Sequence, residues 1–144
     1  KMLDAGVPVS LGVDGSSSND AGNLLQEART AFLLARVRDR DASSMTARDI
    51  LAVATRGGAQ VLGRDDIGAL APGMAADFIA IDLDQPQFAG ALHDPVSAVI
   101  MCLAHSVDYS FINGRKVVSE GQLTTVNQTQ LIEKTNQLAK ALID

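Results

Sequence analysis

Asp14 is the residue of this chain whose type and position best suit catalysis. It directly follows residues 7–13, a β-branched apolar run that predicts a strand buried on both faces, as in a parallel sheet. The loop at residues 15–20 is built from Gly, Ser, Asn and Asp, and its small side chains leave room for a ligand. A carboxylate just past such a strand lies where α/β barrels build active sites. The alternative is that Asp14 only caps the loop or the following helix.

Other polar residues also have two interpretations. The serines and asparagine at 16–19 either line a substrate pocket or form a turn and the N-cap of the next helix, and residue preference favours the turn and cap. His93 either approaches the pocket or hydrogen-bonds within its own loop, and the loop role is favoured because a proline follows two residues later. Cys102 and His105 follow an apolar segment and are expected to pack or to face a partner.

Helical elements should position these residues. Apolar spacing predicts a helix over residues 22–38, with its arginines on a solvated face. A capping box at residues 46–49 opens a second helix, which the glycines at 57–58 interrupt or bend and Gly63 ends. Apolar residues at helical spacing predict an amphipathic helix at the C-terminal end of the chain.

Short β segments occupy the middle of the chain. Residues 77–82 predict a strand, and residues 96–103 suit either helix or strand. Residues 107–111 alternate between apolar and polar types, as a half-buried strand does. Asn-Gly at 113–114 is the strongest hairpin dipeptide, and residues 115–119 are expected to return as the partner strand.

These elements predict three parts: residues 1–63 with a strand, a loop and helices, residues 64–127 with a small antiparallel β unit, and residues 128–144 with a terminal helix. An isolated strand at residues 7–13 would leave its edges unpaired. Its neighbours are therefore expected upstream, in residues of a longer protein of which this chain is a piece.

Composition and charge exclude several classes of protein. The chain has 144 residues, with 12 Lys plus Arg against 17 Asp plus Glu, and its net charge of −5 argues against a nucleic-acid polymer as partner. No apolar run approaches the roughly 18 residues of a membrane span. The single cysteine excludes an internal disulfide framework and a cysteine-based zinc cluster. With no visible signal peptide, a cytoplasmic setting is expected.

Several segments resemble, in order, the amidohydrolase superfamily. Residues 12–20 are similar to its last barrel strand and loop, particularly in the aminohydrolases that deaminate purines, pyrimidines and s-triazines. Residues 52–63 resemble the helix after the barrel, residues 68–78 the re-entry into a small β-sandwich, and residues 107–115 the sandwich hairpin. Together with residues 91–95, the first loop is most similar to the 8-oxoguanine deaminase branch.

The resemblance implies an α/β fold: the last strand and helices of a TIM (β/α)8 barrel, the C-terminal part of a small β-sandwich domain, and a terminal helix. It implies hydrolytic deamination of an amino-substituted N-heterocycle. An 8-oxoguanine- or guanine-like purine is the first choice, and an s-triazine or S-adenosylhomocysteine-type substrate is the alternative. It also implies homo-oligomers and one divalent metal ion, zinc in preference to iron. Asp14 matches the family aspartate that binds the ion and moves a proton from water to the departing amine.

The chain departs from the family pattern in its histidines. The expected His-x-His and the later histidines are absent, and His93 and His105 both lie in the region that resembles the sandwich or its linker. One carboxylate without three further ligands does not make a catalytic zinc site. The segment alone is therefore expected to be inactive, with the other ligands in the upstream part of the same protein. A rival interpretation is a folded interaction module without catalysis. Substrate-binding residues stay unassigned.

Overall fold

The computed structural model describes residues 2–102, 104 and 106–143. The described residues form α-helices and short β-strands, and a π-helical turn lies between the second and third helices. In chain order they are α1 (Leu24–Asp39), α2 (Ala47–Ala52), the π turn (Val53–Gly57), α3 (Gly58–Val61), β1 (Phe78–Ala80), α4 (Pro95–Met101), β2 (Tyr109–Ile112), β3 (Arg115–Ser119), β4 (Gln122–Leu123) and α5 (Gln128–Ile143). Short 3₁₀ turns cover Leu3–Ala5 and Pro86–Phe88.

The chain divides into two compact units. One is helical and consists of Lys1–Ala75 and Asp82–His105; the other contains the sheet and consists of Ala76–Ile81 and Ser106–Asp144. The domain boundaries predicted after residues 63 and 127 refer to the fold of a longer protein, and they stay a prediction. No helix among the described residues is both long and apolar enough to cross a membrane.

Helix α1 confirms the helix predicted over residues 22–38. Asn23 caps it, because the Asn23 side chain accepts hydrogen bonds from the backbone N–H groups of Leu25 and Gln26 at 3.0 and 3.2 Å. Glu27 lies in the first turn and basic residues lie in the last, as the helix dipole favours. The helix ends at Asp39 and is followed by Arg40, whose backbone is left-handed with φ 53°.

The expectation that the arginines of α1 form a solvated face is wrong for Arg29 and Arg36, which are both half-buried. The Nε and Nη2 atoms of Arg36 donate to the Met45 carbonyl at 3.1 and 3.0 Å. The guanidinium carbon also lies 3.9 Å from the centre of the Phe32 ring. Arg36 therefore ties the end of α1 to the segment that leads into α2.

The predicted capping box at residues 46–49 is confirmed. Thr46 accepts from the Asp49 backbone N–H, and the Asp49 carboxylate accepts from the Thr46 backbone N–H at 2.8 Å. The glycines at 57–58 do not end the helix: Gly57 is the last residue of the π turn, which interrupts the α-helical pattern, and Gly58 is the first residue of α3. Gly63 follows with φ 65°, the left-handed conformation of a helix stop.

The core of the helical unit joins α1, α2 and α4. Its buried residues form one apolar cluster: Ala28, Phe32, Ala47, Ile50 and Ile100. Residues 96–103, which suited helix or strand, belong to helix α4 as far as Met101, and Leu103 lies outside the described residues. Asp94 caps this helix by accepting from the Ser97 N–H at 3.3 Å.

The strand predicted at residues 7–13 is not formed, which corrects the sequence analysis. All strands among the described residues belong to one antiparallel sheet elsewhere in the chain, so residues 7–13 have no neighbour for a β-ladder. Val9 and Leu11 are instead half-buried. A Cβ placed on Gly57 would overlap the Val9 carbonyl oxygen, so this segment packs closely on the π turn.

The sheet has the order β1-β2-β3-β4, with every pair antiparallel. Phe78 pairs with Phe111, and their rings stack with centroids 4.5 Å apart. Asn113 and Gly114 form the turn between β2 and β3 with φ 49° and 73°, which confirms the predicted hairpin. A register irregularity lies between Ser110 and Phe111.

Helix α5 confirms the predicted terminal helix within the described residues. Every side chain from residue 129 to residue 143 is exposed, apolar ones included. The exposed large apolar residues of this helix are Leu131, Ile132, Leu138, Leu142 and Ile143.

Candidate functional site

Asp14 begins a loop that holds its carboxylate at both oxygens. Oδ1 accepts from the Gly15 backbone N–H at 2.8 Å, and Oδ2 accepts from the Ser18 hydroxyl at 3.1 Å. The Asp14 backbone has φ 63°, a left-handed conformation that Asp and Asn adopt more readily than other side-chain-bearing residues. Asp14 is exposed. The carboxylate therefore faces solvent in a fixed local turn.

The turn itself is closed by the Gly15 carbonyl. This oxygen accepts from the backbone N–H groups of Ser18 and Asn19 at 2.9 and 3.0 Å. The Ser18 hydroxyl lies 3.2 Å from the same oxygen and has one hydrogen, so it donates either to Gly15 or to Asp14. Residues 14–19 thus form one hydrogen-bonded loop.

Asn19 connects this loop to α1. Its Nδ2 donates to Glu27 Oε1 at 2.7 Å, and its Oδ1 accepts from the Ala21 backbone N–H at 3.1 Å. Asn19 and Glu27 are both half-buried. The sequence does not reveal Glu27 as the partner of Asn19, because a side-chain pairing eight residues apart across a loop has no sequence pattern.

The structure corrects the expected N-cap. Residues 16–19 form a turn, as expected, but Asn23 caps α1 in their place. His93 is exposed, and Cys102 is a half-buried free thiol at the end of α4. His105 lies outside the described residues. No contact among the described residues indicates that residues 16–19 line a substrate pocket.

A zinc ion does not fit the described residues on their own. Among residues 2–102, 104 and 106–143, no three His, Cys, Asp or Glu side chains come together as a metal site would require. Asp14 offers carboxylate oxygens, which suit a divalent cation, but a catalytic zinc needs three protein ligands. The described residues therefore supply at most a part of such a site.

The helical unit also contains a cavity of about 470 Å³. Its lining is almost wholly apolar, and Arg38 is the charged residue on it: the full set is Leu3, Val9, Leu11, Ala31, Leu34, Ala35, Val37, Arg38, Met45, Ile50 and Val53. Asp14 is not part of the lining. Because a polar heterocycle needs hydrogen-bonding groups to orient it, this cavity is not suited to be its binding site.

Comparison with known proteins establishes the class. The model of the Amidohydrolase family matches residues 1–117. The chain belongs to the amidohydrolase family.

Individual relatives narrow the comparison. The chain is 45% identical over 139 residues to an 8-oxoguanine deaminase of Pseudomonas aeruginosa, which covers 96% of this chain and 30% of that protein. It is 39% identical to a hydroxydechloroatrazine ethylaminohydrolase of Pseudomonas sp. strain ADP, over 99% of this chain and 30% of that protein. The chain therefore spans less than a third of the length of these relatives.

Solved structures agree with the family assignment. An atrazine chlorohydrolase from Arthrobacter aurescens TC1, complexed with zinc, matches 94% of this chain and 30% of its own with a TM-score of 0.86 at 37% identity. An adenosine deaminase from Xanthomonas campestris with bound zinc matches 97% of this chain and 32% of its own with a TM-score of 0.87 at 30% identity. Zinc is thus present in structures of proteins that share this fold.

Proposed function

We propose that this chain is the C-terminal part of a hydrolytic aminohydrolase, which releases ammonia from an amino-substituted N-heterocycle. The observation that supports this most directly is the 45% identity to an 8-oxoguanine deaminase across 96% of the chain. The proposed architecture is the end of a TIM barrel followed by part of a small β-sandwich. The protein is also proposed to form homo-oligomers, as the resemblance implies.

The proposed substrate is an 8-oxoguanine- or guanine-like purine. The alternatives are an s-triazine or an S-adenosylhomocysteine-type compound. Named relatives support each: the ethylaminohydrolase at 39% identity, and a 5-methylthioadenosine/S-adenosylhomocysteine deaminase of Syntrophus aciditrophicus, also at 39% identity, over 97% of this chain and 32% of that protein. The purine is preferred because identity to the 8-oxoguanine deaminase is higher.

Asp14 is the proposed catalytic carboxylate and one ligand of a divalent ion, zinc before iron. When bound, such an ion supplies a water of lowered pKa. The Asp14 carboxylate accepts a proton from the attacking water and delivers it to the amine as the ring C–N bond breaks, so that the nitrogen leaves as neutral ammonia. The two carboxylate oxygens of Asp14 suit this role, because one can remain hydrogen-bonded to the Gly15 N–H while the other accepts and releases the proton.

The remaining ligands are proposed to come from outside these 144 residues. The relatives are about three times as long as this chain, and the described residues bring no imidazole to Asp14 in a three-ligand cluster. Residues 1–144 alone should therefore bind no stoichiometric metal and release no ammonia.

The test uses the full-length protein that contains this segment. Ammonia release is measured with 8-oxoguanine, guanine, an s-triazine and S-adenosylhomocysteine, and metal content is measured by mass spectrometry. Asp14→Asn should lower kcat by about 10²–10⁴-fold, the usual range for an acid–base group. Asp65→Asn removes the same charge from another exposed residue and should leave kcat unchanged.

The rival is a non-catalytic interaction module, in which Asp14 only stabilises its turn. The two bonds from Gly15 and Ser18 to the carboxylate favour this role. Full activity in Asp14→Asn would exclude our role for Asp14. A full-length protein with no metal and no activity on any of these heterocycles would support the module.

A further inference from the structure

We infer that Asn19 and Glu27 are positioning residues for Asp14: their hydrogen bond fastens the catalytic loop to helix α1. This inference rests on the proposed function, since it assigns Asp14 the proton transfer. Neither residue contacts Asp14 directly. Both act through the loop that holds it.

The path from Asp14 to the helix is short and continuous. The Ser18 hydroxyl lies 3.1 Å from Asp14 Oδ2, and Asn19 is the next residue along the chain. The Asn19 amide then reaches Glu27 Oε1 at 2.7 Å, the shortest side-chain contact of this loop. Asn19 is also half-buried, whereas residues 14–18 are all exposed. Asn19 is thus the point at which an exposed loop meets the fold.

Glu27 is a firm anchor because of its place in α1. The next residue, Ala28, is fully buried and belongs to the apolar core with Phe32 and Ile50. Asn23 caps the same helical turn through two backbone N–H groups. The backbone of Glu27 is therefore held by core packing on one side and by the helix cap on the other. A loop that is hydrogen-bonded to the Glu27 side chain is thereby fixed relative to α1.

The loop needs such an anchor because its own sequence is flexible. Glycine and small serines dominate residues 15–18, and ordering each residue costs about 1–2 kcal/mol of conformational entropy. Proton transfer requires the carboxylate within hydrogen-bond reach of the proton, and a misplacement of about 1 Å can cost about 10²-fold in rate. A loop freed from α1 should therefore bind substrate normally but react slowly.

The orientation of the Asn19 amide gives a specific test. Its oxygen accepts from the Ala21 N–H, so its NH₂ group must face Glu27. Asn19→Asp retains the bond from Ala21 but places a second carboxylate against Glu27. Glu27→Gln alone retains an acceptor oxygen for Asn19. Combining the two substitutions reverses donor and acceptor and restores the hydrogen bond.

In the full-length protein we expect Asn19→Asp to lower kcat about tenfold or more, with KM within about twofold of wild type. Glu27→Gln should keep kcat within about threefold, and the double variant should recover most of what Asn19→Asp loses. Asn127→Asp, which retains its acceptor for Gln130, is the matched control and should behave as wild type.

Thermal unfolding separates positioning from a structural role. Positioning predicts a loss of kcat with a nearly unchanged Tm, whereas a structural role predicts that Tm and activity fall together. Wild-type kcat in Asn19→Asp, no recovery in the double variant, or a parallel fall of Tm and activity would each overturn the inference. Asp14→Asn in the same series tests the proposed function: if it is inactive while Asn19→Asp is fully active, only the positioning role fails.

Discussion

Arg48 and Asp94, which are 46 residues apart, are joined by two parallel hydrogen bonds. Arg48 Nη1 donates to Asp94 Oδ2 and Nη2 donates to Oδ1, each at 3.0 Å. Asp94 also accepts from the Ser97 hydroxyl at 2.7 Å. The bonds from Arg48 and then those from Ser97 hold the pKa of Asp94 well below its ordinary value. The pair links α2 to the N-terminus of α4.

This pair predicts a contribution to stability that depends on pH. Because the folded-state pKa of Asp94 is lowered, its contribution is complete above the unfolded value near 3.8 and is lost as the pH falls below that value. Asp94→Asn should be less stable than wild type at pH 7, and the difference should shrink progressively as the pH falls below about 3.8. Denaturant unfolding from pH 2 to pH 7 measures this. A constant difference between the two proteins at all pH values would contradict it. The effect should be modest because Arg48 is largely exposed.

Two adjacent glycines, Gly57 at the end of the π turn and Gly58 at the start of α3, predict opposite outcomes. Both have helical φ values near −60°, so alanine suits the backbone at either position. At Gly57 the new Cβ would overlap the Val9 carbonyl oxygen, a backbone atom that moves only with its whole segment. At Gly58 it would lie 3.2 Å from the Ser10 hydroxyl oxygen, which can rotate away.

Gly57→Ala should therefore lower the free energy of unfolding by about 1–3 kcal/mol, as overpacking does. Gly58→Ala should leave it unchanged or raise it by up to about 1 kcal/mol, since alanine favours helix. Thermal melts of the two variants side by side provide the measurement. Equal melting temperatures would show that residues 7–13 do not pack on the π turn.

Asn23→Ala should destabilise α1 by about 1 kcal/mol, because two backbone N–H groups lose their acceptor. Gln26→Ala, an exposed residue in the same turn, is the matched control and should cost little. Hydrogen exchange at the amides of Leu25 and Gln26 reports the loss directly. Unchanged protection in Asn23→Ala would refute the assigned cap.

Two substitutions at Asp14 should separate chemistry from conformation. The oxygen of an asparagine amide can still accept from the Gly15 N–H, and its NH₂ group can donate to the Ser18 hydroxyl oxygen, whose own hydrogen then goes to the Gly15 carbonyl. Asparagine also tolerates φ 63°, so Asp14→Asn should lose activity and keep the melting temperature of wild type. Alanine has neither property, so Asp14→Ala should also lose about 1 kcal/mol or more of stability. If both variants melt alike, the loop is not held by the Asp14 side chain.

Local sequence signals predicted local structure well. Thr46 and Asp49 form their capping box, and Asn113-Gly114 forms its hairpin turn, because each rests on contacts between residues close in sequence. Residues 7–13 form no strand because a strand exists only with a hydrogen-bonded partner, and the neighbours that the sequence analysis expects lie upstream of these 144 residues. The hydrogen bond between Asn19 and Glu27 was not predicted either. Whether two side chains meet across a loop depends on the path of the loop, and sequence periodicity does not give that path.

The order in which the chain builds its two compact units has a practical consequence. Residues up to 75 belong to the helical unit, and the next six residues, which contain β1, belong to the unit with the sheet. Residues 82–105 belong to the helical unit again, and the remaining strands follow them. No single cut releases either unit whole. A fragment ending at residue 75 would lack the fully buried Phe88 and Ile100, and one starting at residue 106 would lack an edge strand. Gene fusions and chimeras should therefore exchange residues 1–123 together, which keeps all four strands with the helical unit.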